Sequence, residues 1–333
     1  MLSSVKILQE VQQSPVADIY SAHIAIIRPI LSGLLYSLKQ DVVAEVGGYD
    51  NVKLKMLPRL RREGDGDVGI CFEYAVHDAL RRQHPHITER IYDALTRYCR
   101  VPGSQIESIL FAAEKSGSLQ LIDTAAGILT DDSRILTGAQ AQPPKLRQYL
   151  HDLARAFRST TARDLLPSSI RGLWKADLFV GCRDTDRWVG TTVKINPSML
   201  EGAPGLRLGI VPSVQGRFDG IRIDEARNLV VCPVPYDASF MEAFYVSWGI
   251  VQQFLSADAN VPREVYLPTP LQRQVASDLA TRREFNVVDV IEGLRPLAQP
   301  HLLNNQARDV NVDIDGANMT PDTLISPMPG IIV

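Results

Sequence analysis

The sequence has few cysteines, and no pattern pairs them. Only Cys71, Cys99, Cys182 and Cys232 occur among 333 residues, and no two of them are spaced as Cys-x-x-Cys. Disulfide-stabilised secreted domains and thiolate zinc sites need denser or closer cysteines. We therefore expect four reduced thiols, as in a cytosolic protein.

The sequence also lacks the signatures of several enzyme and membrane classes. It contains no Gly-x-x-x-x-Gly-Lys-Ser/Thr phosphate loop, no Gly-x-Ser-x-Gly nucleophile elbow and no repeat of fixed period. The start, Met1 to Lys6, has no signal-peptide organisation, and charged or polar residues interrupt the apolar segments before about 18 residues. These absences predict a cytoplasmic protein that does not enter a membrane.

The charge is balanced, and the composition is that of a globular protein. With 45% hydrophobic and 22% charged residues, the chain is long enough for a large core. A net charge of −3 neither indicates nor excludes nucleic-acid binding, because phosphate contacts depend on local clusters. The longest basic cluster, Lys53 to Arg62, fits a nucleic-acid contact and a solvated surface equally well.

One segment has the pattern of a β-hairpin. Leu178 to Val180 is a short apolar run, the turn residues of 181–186 follow it, and Trp188 to Ile195 resumes a β-rich pattern. Asp177 then begins the first strand, and Lys194 lies near the end of the second. Because adjacent strands lie roughly 5 Å apart, we expect these two side chains to share one small site.

A helix with an acidic residue at the border of its apolar face is predicted upstream. The residues Gly64 to Asp67 break the chain, and apolar residues then recur at helical spacing through Arg82. Glu73 borders this apolar stripe. The stripe consists of Val68, Phe72, Ala75, Val76, Ala79 and Leu80.

Shorter patterns predict the rest of the chain. Residues 1–165 are expected to be mainly helical, 166–300 to form an α/β core and 301–333 to be an extended tail. Leu119–Leu129 fits a helix or a strand, and Pro29 predicts two helical pieces or a kink within Ile24–Leu38. Further expected elements are helices at Ile87–Tyr98, Gln105–Lys115 and Leu146–Phe157, a linker at Gly138–Pro144, strands at Leu206–Val211 and Asn228–Val234, and a long helix from Ser239 with an apolar stripe at Phe240, Phe244, Trp248 and Val251.

The helix with Glu73 and the strands with Asp177 and Lys194 resemble the PD-(D/E)XK nuclease superfamily, which includes many restriction endonucleases and resolvases. That family has a helix with a glutamate, a strand with an aspartate, and an acid-x-lysine tripeptide on the next strand. The resemblance implies an α/β fold with a restriction-endonuclease-like mixed sheet flanked by helices, and here a large mainly helical N-terminal region. Two features depart from the family: Thr192 replaces the second acid, and a wide insertion separates Glu73 from Asp177.

The resemblance also implies an activity, which is Mg²⁺- or Mn²⁺-dependent hydrolysis of DNA in a microbial restriction or anti-phage system. It makes Asp177 the main metal ligand, with Glu73 and the Val193 carbonyl oxygen as further ligands. Lys194 would orient the attacking water or stabilise charge, and Thr192 would hold a metal-bound water. The implied partners are nucleic acid, a companion protein subunit and a second copy of the chain. The alternative is a non-catalytic binding or scaffold subunit of the same fold, which the threonine and the insertion favour.

Overall fold

The computed structural model describes residues 15–62, 68–111, 127–138, 142–156, 159–213, 220–234, 240–261 and 267–298. These residues form an α/β fold around one mixed seven-stranded sheet. The strands lie in the order β1-β3-β4-β5-β7-β6, and β2 pairs with β4. The pairs β1/β3, β3/β4 and β6/β7 are antiparallel, whereas β4, β5 and β7 run parallel. The strands are β1 Ile106–Leu110, β2 Arg134–Ile135, β3 Leu178–Cys182, β4 Arg187–Val193, β5 Leu206–Pro212, β6 Arg222–Asp224 and β7 Leu229–Val234.

Helices cover both faces of the sheet. Alternate residues of a strand point to opposite faces, so Leu178 and Val180 join a large core cluster on one side while Phe179 joins a smaller one on the other. The α-helices are α1 Pro15–Tyr36, α2 Gln40–Glu45, α3 Leu57–Leu60, α4 Val68–Arg81, α5 Pro85–Asp93, α6 Leu146–Ala156, α7 Thr160–Asp164, α8 Met241–Ser256, α9 Pro270–Thr281 and α10 Val287–Gly293. The large cluster includes residues of α1, α4, α8, α9 and α10, and the small one includes residues of α6.

The predicted hairpin is confirmed. Strands β3 and β4 pair antiparallel, and Leu178 lies opposite Thr191. Asp186 takes a left-handed conformation in the turn, with φ of 55°. Its carboxylate accepts hydrogen bonds from the indole of Trp188 at 2.8 Å and from the hydroxyl of Ser133 at 2.6 Å. The turn is therefore fixed by the side chain of Asp186 as well as by strand pairing.

The apolar segment around Pro29 forms one continuous helix, α1, so the expectation of two helical pieces is wrong. A proline removes one backbone donor inside a helix, and here α1 packs against α4, α8, α9 and α10, which supports it on several sides. The window Ile19–Tyr36 is long and apolar enough to cross a membrane, contrary to the expectation from the sequence, but 72% of it is buried inside the protein. This burial fits a core helix.

The helix expected over Gln105–Lys115 is also wrong where the structure describes it. Ile106–Leu110 is strand β1, which pairs with β3 from Ile106 opposite Cys182 to Leu110 opposite Leu178. The apolar residues of this segment fit a helical spacing as well as a strand, and a short run cannot distinguish them. Pairing with the buried strand β3 decides the conformation.

Most other predicted elements are confirmed within one or two residues. The Glu73 helix is α4, Ile87–Tyr98 corresponds to α5 with a π-helical turn at Ala94–Cys99, and Leu146–Phe157 corresponds to α6. Both later strands and the long helix are present as β5, β7 and α8. Phe240, Phe244 and Val251 are buried, and Trp248 is half-buried. Ser239, the tail 301–333 and parts of the segments 119–129 and 138–144 lie outside the described residues.

Elements on either side of residue 165 share one sheet and one core. Strand β1 pairs with β3, and the large cluster runs from Ala22 to Leu294. The four cysteines are buried free thiols. Burial raises the pKa of Cys99 and of Cys232 to about 12, and that of Cys182 to about 11. These three thiols remain protonated and unreactive at neutral pH.

Gly181 in β3 has no room for a side chain. A Cβ atom there would lie 2.2 Å from the carbonyl oxygen of Arg187 and 2.8 Å from the Cα of Trp188. Since both atoms belong to the paired backbone, we expect Gly181→Ala to lower the free energy of unfolding by about 3 kcal/mol. The matched control is Gly249→Ala inside α8, where an added Cβ would meet nothing within 4 Å. Urea unfolding should show that this substitution raises the free energy of unfolding by about 0.5–1 kcal/mol. Equal effects of the two substitutions would contradict this packing argument.

Candidate active site

Asp177 is held at the beginning of β3 by its backbone. A 3₁₀ turn at Leu173–Lys175 leads into it. The N–H of Asp177 donates to the carbonyl oxygen of Thr191, and its carbonyl oxygen accepts from the N–H of Phe111, both at 2.9 Å. The residue is thus fixed between β4 and the segment that follows β1, which leaves little freedom to its side chain.

The carboxylate of Asp177 is buried and has several donors. The residue is 2% exposed. Its Oδ2 accepts hydrogen bonds from the Val193 N–H at 2.8 Å, the Thr192 hydroxyl at 3.1 Å and the Lys194 ammonium at 2.7 Å. Burial of a carboxylate costs several kcal/mol unless charge and hydrogen bonds compensate it. These three donors provide that compensation.

Lys194 links the strand site to helix α4. Its N–H donates to the carbonyl oxygen of Ile210 at 2.9 Å, which fixes its backbone to β5. Its ammonium donates to Glu73 Oε1 at 3.3 Å as well as to Asp177. Burial acts to lower the pKa of Lys194, but attraction to Asp177 and then to Glu73 outweighs it, so the pKa is raised. The ammonium is therefore charged at neutral pH, between two carboxylates.

The structure brings the four predicted catalytic residues together. Glu73 is 8% exposed and Thr192 is 3% exposed, so both lie at the site below the surface. Val193, the last residue of β4, contacts the site through its N–H. Because the N–H and C=O of one residue in an extended strand point to the same edge, its carbonyl oxygen is directed to the Asp177 side too.

Asn196, two residues after Lys194, has a local role. Its side-chain oxygen accepts from the N–H of Ser198 at 3.0 Å and from its hydroxyl at 2.8 Å. It thereby caps the 3₁₀ turn Pro197–Met199, which follows β4.

The site opens into a pocket of about 340 Å³. Its walls include Trp174, Met199 and Leu206, which are apolar. Lys175 and Glu201 stand at its rim and form an ion pair at 2.7 Å. The pocket therefore combines charged groups at its base with an apolar wall, and a substrate group can reach Asp177, Thr192 and Lys194, which also line it.

The oxygen atoms at the site fit a hard divalent cation. The described residues contain no group of three or more His, Cys, Asp or Glu side chains that could hold a metal ion. Mg²⁺, however, is usually held by one or two carboxylates and completes its shell with waters and substrate phosphate. Asp177 and Glu73 supply the carboxylates, with the Val193 carbonyl and the Thr192 hydroxyl beside them. The Lys194 ammonium, 2.7 Å from one carboxylate and 3.3 Å from the other, competes with such a cation.

The basic cluster Lys53 to Arg62 is largely paired with acidic residues of the protein. Its ion pairs are Lys55 with Glu284 at 2.6 Å, Arg59 with Asp258 at 2.6 Å and Arg62 with Asp41 at 3.1 Å. These contacts tie the segment to other parts of the surface. They favour a structural interpretation of the cluster over a nucleic-acid contact.

Sequence reasoning missed the rim and the apolar wall of the pocket. Trp174 and Lys175 lie three and two residues before Asp177, and this proximity in the sequence was the available signal. Arg163 lies over the Trp174 ring at 4.9 Å, and the Lys175 ammonium lies 5.6 Å from the ring centre. The contribution of the Val193 N–H could not be predicted, because it depends on strand register.

Comparison of the chain with protein-family models, curated proteins and solved structures gives no significant match.

Proposed function

We propose that the protein is a Mg²⁺- or Mn²⁺-dependent endonuclease that hydrolyses DNA, with a restriction-endonuclease-like fold of the PD-(D/E)XK type. One observation carries the proposal. Glu73, Asp177 and Lys194 come from a helix and two neighbouring strands and meet through contacts of 2.7 and 3.3 Å at the Lys194 ammonium. Asp177 and Lys194 line one pocket with Thr192, and Glu73 joins them through the Lys194 ammonium, as expected for the PD-(D/E)XK type.

The reaction adds one water across a P–O bond of the backbone. The water oxygen bonds to phosphorus, the bond to the leaving oxygen breaks, and a proton ends on that oxygen. A divalent cation, when bound, neutralises developing charge on the phosphate and lowers the pKa of the water. The carboxylates of Asp177 and Glu73 would bind and position that cation, together with the carbonyl oxygen of Val193.

Lys194 acts on the phosphate, and Thr192 positions Asp177. The lysine ammonium is a compact cation that can move from the carboxylates to the phosphate oxygens, where negative charge grows as the water attacks. The Thr192 hydroxyl keeps Asp177 in its orientation through the 3.1 Å hydrogen bond. Threonine is a weaker ligand than a carboxylate for a hard cation, so the site depends more on Glu73.

The remaining features of the proposal concern the location of the protein in the cell and its partners. The burial of α1 supports a soluble protein, and we propose a cytoplasmic one. A restriction or anti-phage role, a companion subunit and a homodimer stay predictions of the resemblance.

A second function is favoured by the position of the Lys194 ammonium. A cation that already bridges both carboxylates satisfies them without a metal. The same fold would then serve as a non-catalytic binding or scaffold subunit, in which Asp177, Glu73 and Lys194 stabilise the structure.

The proposed activity is tested by incubating the protein with supercoiled plasmid, linear duplex, single-stranded DNA and RNA in Mg²⁺, in Mn²⁺ and in EDTA. We expect metal-dependent cutting of DNA, with none in EDTA. Cutting that persists in EDTA would contradict a metal-dependent reaction. Absence of cutting under all conditions would favour the scaffold function.

A further inference from the structure

A second pocket, of about 450 Å³, lies on the α4 side of the sheet and is lined by arginines from three separate segments. Arg28 comes from α1, Arg81 is the last residue of α4 and Arg82 follows it, and Arg295 follows α10. Two acidic residues, Asp78 and Glu292, line it as well. Guanidinium groups present several N–H donors in a plane, which suits the oxygens of a phosphate.

Two buried donors of this pocket have no hydrogen-bond partner among the described residues. Arg28 is 5% exposed. Its Nε donates to the carbonyl oxygen of Ile291 at 2.8 Å and its Nη2 lies 3.6 Å from Glu292, but its Nη1 is unsatisfied. The hydroxyl of Tyr74, a residue 4% exposed, is unsatisfied too. An unpaired buried polar group costs about 1–3 kcal/mol, so a ligand that accepts from these donors would recover free energy.

The charges of the pocket do not cancel. Arg82 pairs with Asp78 at 2.6 Å. Glu292 lies 3.6 Å from Arg28 and 3.5 Å from Arg295, and it is shared between them. Arg81 forms no ion pair with a described residue. Four arginines face two carboxylates.

His77 adds no further positive charge to the pocket. Burial, and then the charge of Arg81, lowers its pKa to about 3, so the imidazole is neutral at pH 7. Its Nδ1 lies 3.0 Å from the hydroxyl oxygen of Ser108, within hydrogen-bond distance. The excess of two positive charges therefore matches the dianion of a phosphate monoester.

The arginine pocket adjoins the candidate active site. Tyr74 follows Glu73 in α4. Leu110, which lines the pocket, lies opposite Leu178, the residue after Asp177. One end of the arginine pocket thus lies where β1 and β4 end and β3 begins, and the pocket extends from there along α4 to Arg81 and Arg82.

We propose that this pocket binds a phosphate group of the nucleic-acid substrate, most favourably a terminal 5′-phosphate, and holds the strand while Asp177 and Lys194 face the scissile bond. The proposal rests on the proposed nuclease function for the identity of the ligand. The unsatisfied donors and the excess of arginine charge support a phosphate site independently.

The test measures binding in EDTA, where no cleavage occurs. The probes are inorganic phosphate by calorimetry, and one fluorescent oligonucleotide with either a 5′-phosphate or a 5′-hydroxyl by anisotropy. The variants are Arg81→Ala, Arg81→Lys and Arg295→Ala. Both arginines are exposed residues, so their replacement should leave the hydrophobic core intact. Arg97→Ala is the matched control, because Arg97 is an exposed arginine on the π-helical turn after α5 that forms an ion pair with Asp93 away from the pocket.

We expect Arg81→Ala and Arg295→Ala each to weaken binding of the 5′-phosphorylated strand about tenfold, since each removes a charge-assisted contact. Arg81→Lys should restore part of the affinity that Arg81→Ala loses. The substitutions should weaken binding of the 5′-hydroxyl oligonucleotide less, and inorganic phosphate should compete with the 5′-phosphorylated one. Under Mg²⁺ the same variants should raise KM and leave kcat nearly unchanged. Binding equal to that of Arg97→Ala would overturn the proposal.

The outcomes separate this site from the nuclease function. If the protein cuts DNA in a metal-dependent way but the substitutions of Arg81 and Arg295 do not change binding, the phosphate site is refuted and the nuclease function stands. Binding that depends on these arginines, without cutting in any metal, would support the phosphate site and refute the nuclease. Arginine-dependent binding of inorganic phosphate but not of the oligonucleotide would overturn the nucleic-acid assignment.

Discussion

Asp177→Asn should abolish metal-dependent cleavage, lowering its rate about 10³-fold or more. Asparagine has the size of aspartate, and its carbonyl oxygen can still accept from the Val193 N–H that now donates at 2.8 Å. It lacks the charge that binds the cation and holds Lys194. Loss of metal-based charge stabilisation removes several kcal/mol from the transition state. Initial rates on a labelled duplex in Mg²⁺ and Mn²⁺, with thermal unfolding measured in parallel, check this expectation.

The matched control for that substitution is Asp131→Asn. Asp131 is an exposed aspartate whose ion pair with Arg147 lies at the surface, 3.2 Å apart, with an 88% exposed carboxylate side chain. Its rate should equal that of wild type. If purified Asp177→Asn cuts at more than roughly a tenth of the wild-type rate, Asp177 does not hold a catalytic metal, because the expected loss is several kcal/mol.

Lys194→Met should reduce both stability and cleavage, but it should strengthen metal binding. Methionine keeps most of the length of the side chain and removes the cation that the carboxylates of Asp177 and Glu73 share. Removal of one partner from a buried pair leaves uncompensated charge, and we expect a loss of about 2–4 kcal/mol in the free energy of unfolding without metal. Cleavage should fall about 10²–10³-fold, the scale of losing one charge-stabilising donor.

The same variant tests whether the two carboxylates hold a metal. With the ammonium gone, millimolar Mn²⁺ or Ca²⁺ should raise the melting temperature of Lys194→Met more than that of wild type, because binding to the folded state stabilises it. Lys194→Met combined with Asp177→Asn should lose this response. If the single variant gains nothing from either ion, the carboxylates and Lys194 form a structural ion pair, and the scaffold function is favoured.

Alkaline pH provides an independent measure of the ion pair. The pKa of Lys194 is raised in the folded protein, so folding holds its proton more tightly than the unfolded chain does. The resulting stabilisation is fully present below the unfolded pKa of about 10.4 and is lost as the pH rises through the folded value. Urea unfolding above that pH should become easier for wild type, and the decline should be smaller for Lys194→Met.

The hairpin and the Glu73 helix were predictable because their patterns are local. The apolar run before the turn and the β-rich run after it place Asp177 and Lys194 at neighbouring strand ends without knowledge of the rest of the chain. Helical spacing in α4 similarly places Glu73 beside the apolar stripe. The hairpin pattern alone brings Asp177 and Lys194 together, whereas joining Glu73 to them required the resemblance to the PD-(D/E)XK superfamily.

Other features depend on contacts between distant segments. The segment Ile106–Leu110 became a strand through pairing with β3, which its own spacing did not distinguish from a helix. The arginine pocket unites Arg28, Arg81 and Arg295, and no pattern along the chain relates α1, α4 and α10. The Val193 N–H reaches Asp177 only in the observed register, and a shift by one residue would turn it away.

The enclosure of α1 has a consequence for how the protein is made. Arg28 in this helix donates to Ile291, 263 residues further along the chain, and α9 and α10 also cover the helix. At a synthesis rate of about 5–20 residues per second, the apolar helix emerges from the ribosome roughly 13–50 s before its last neighbours exist. Nascent chains therefore carry the apolar surface of α1 exposed for that interval, and α1 is fully covered only after the last tenth of the described chain has been made.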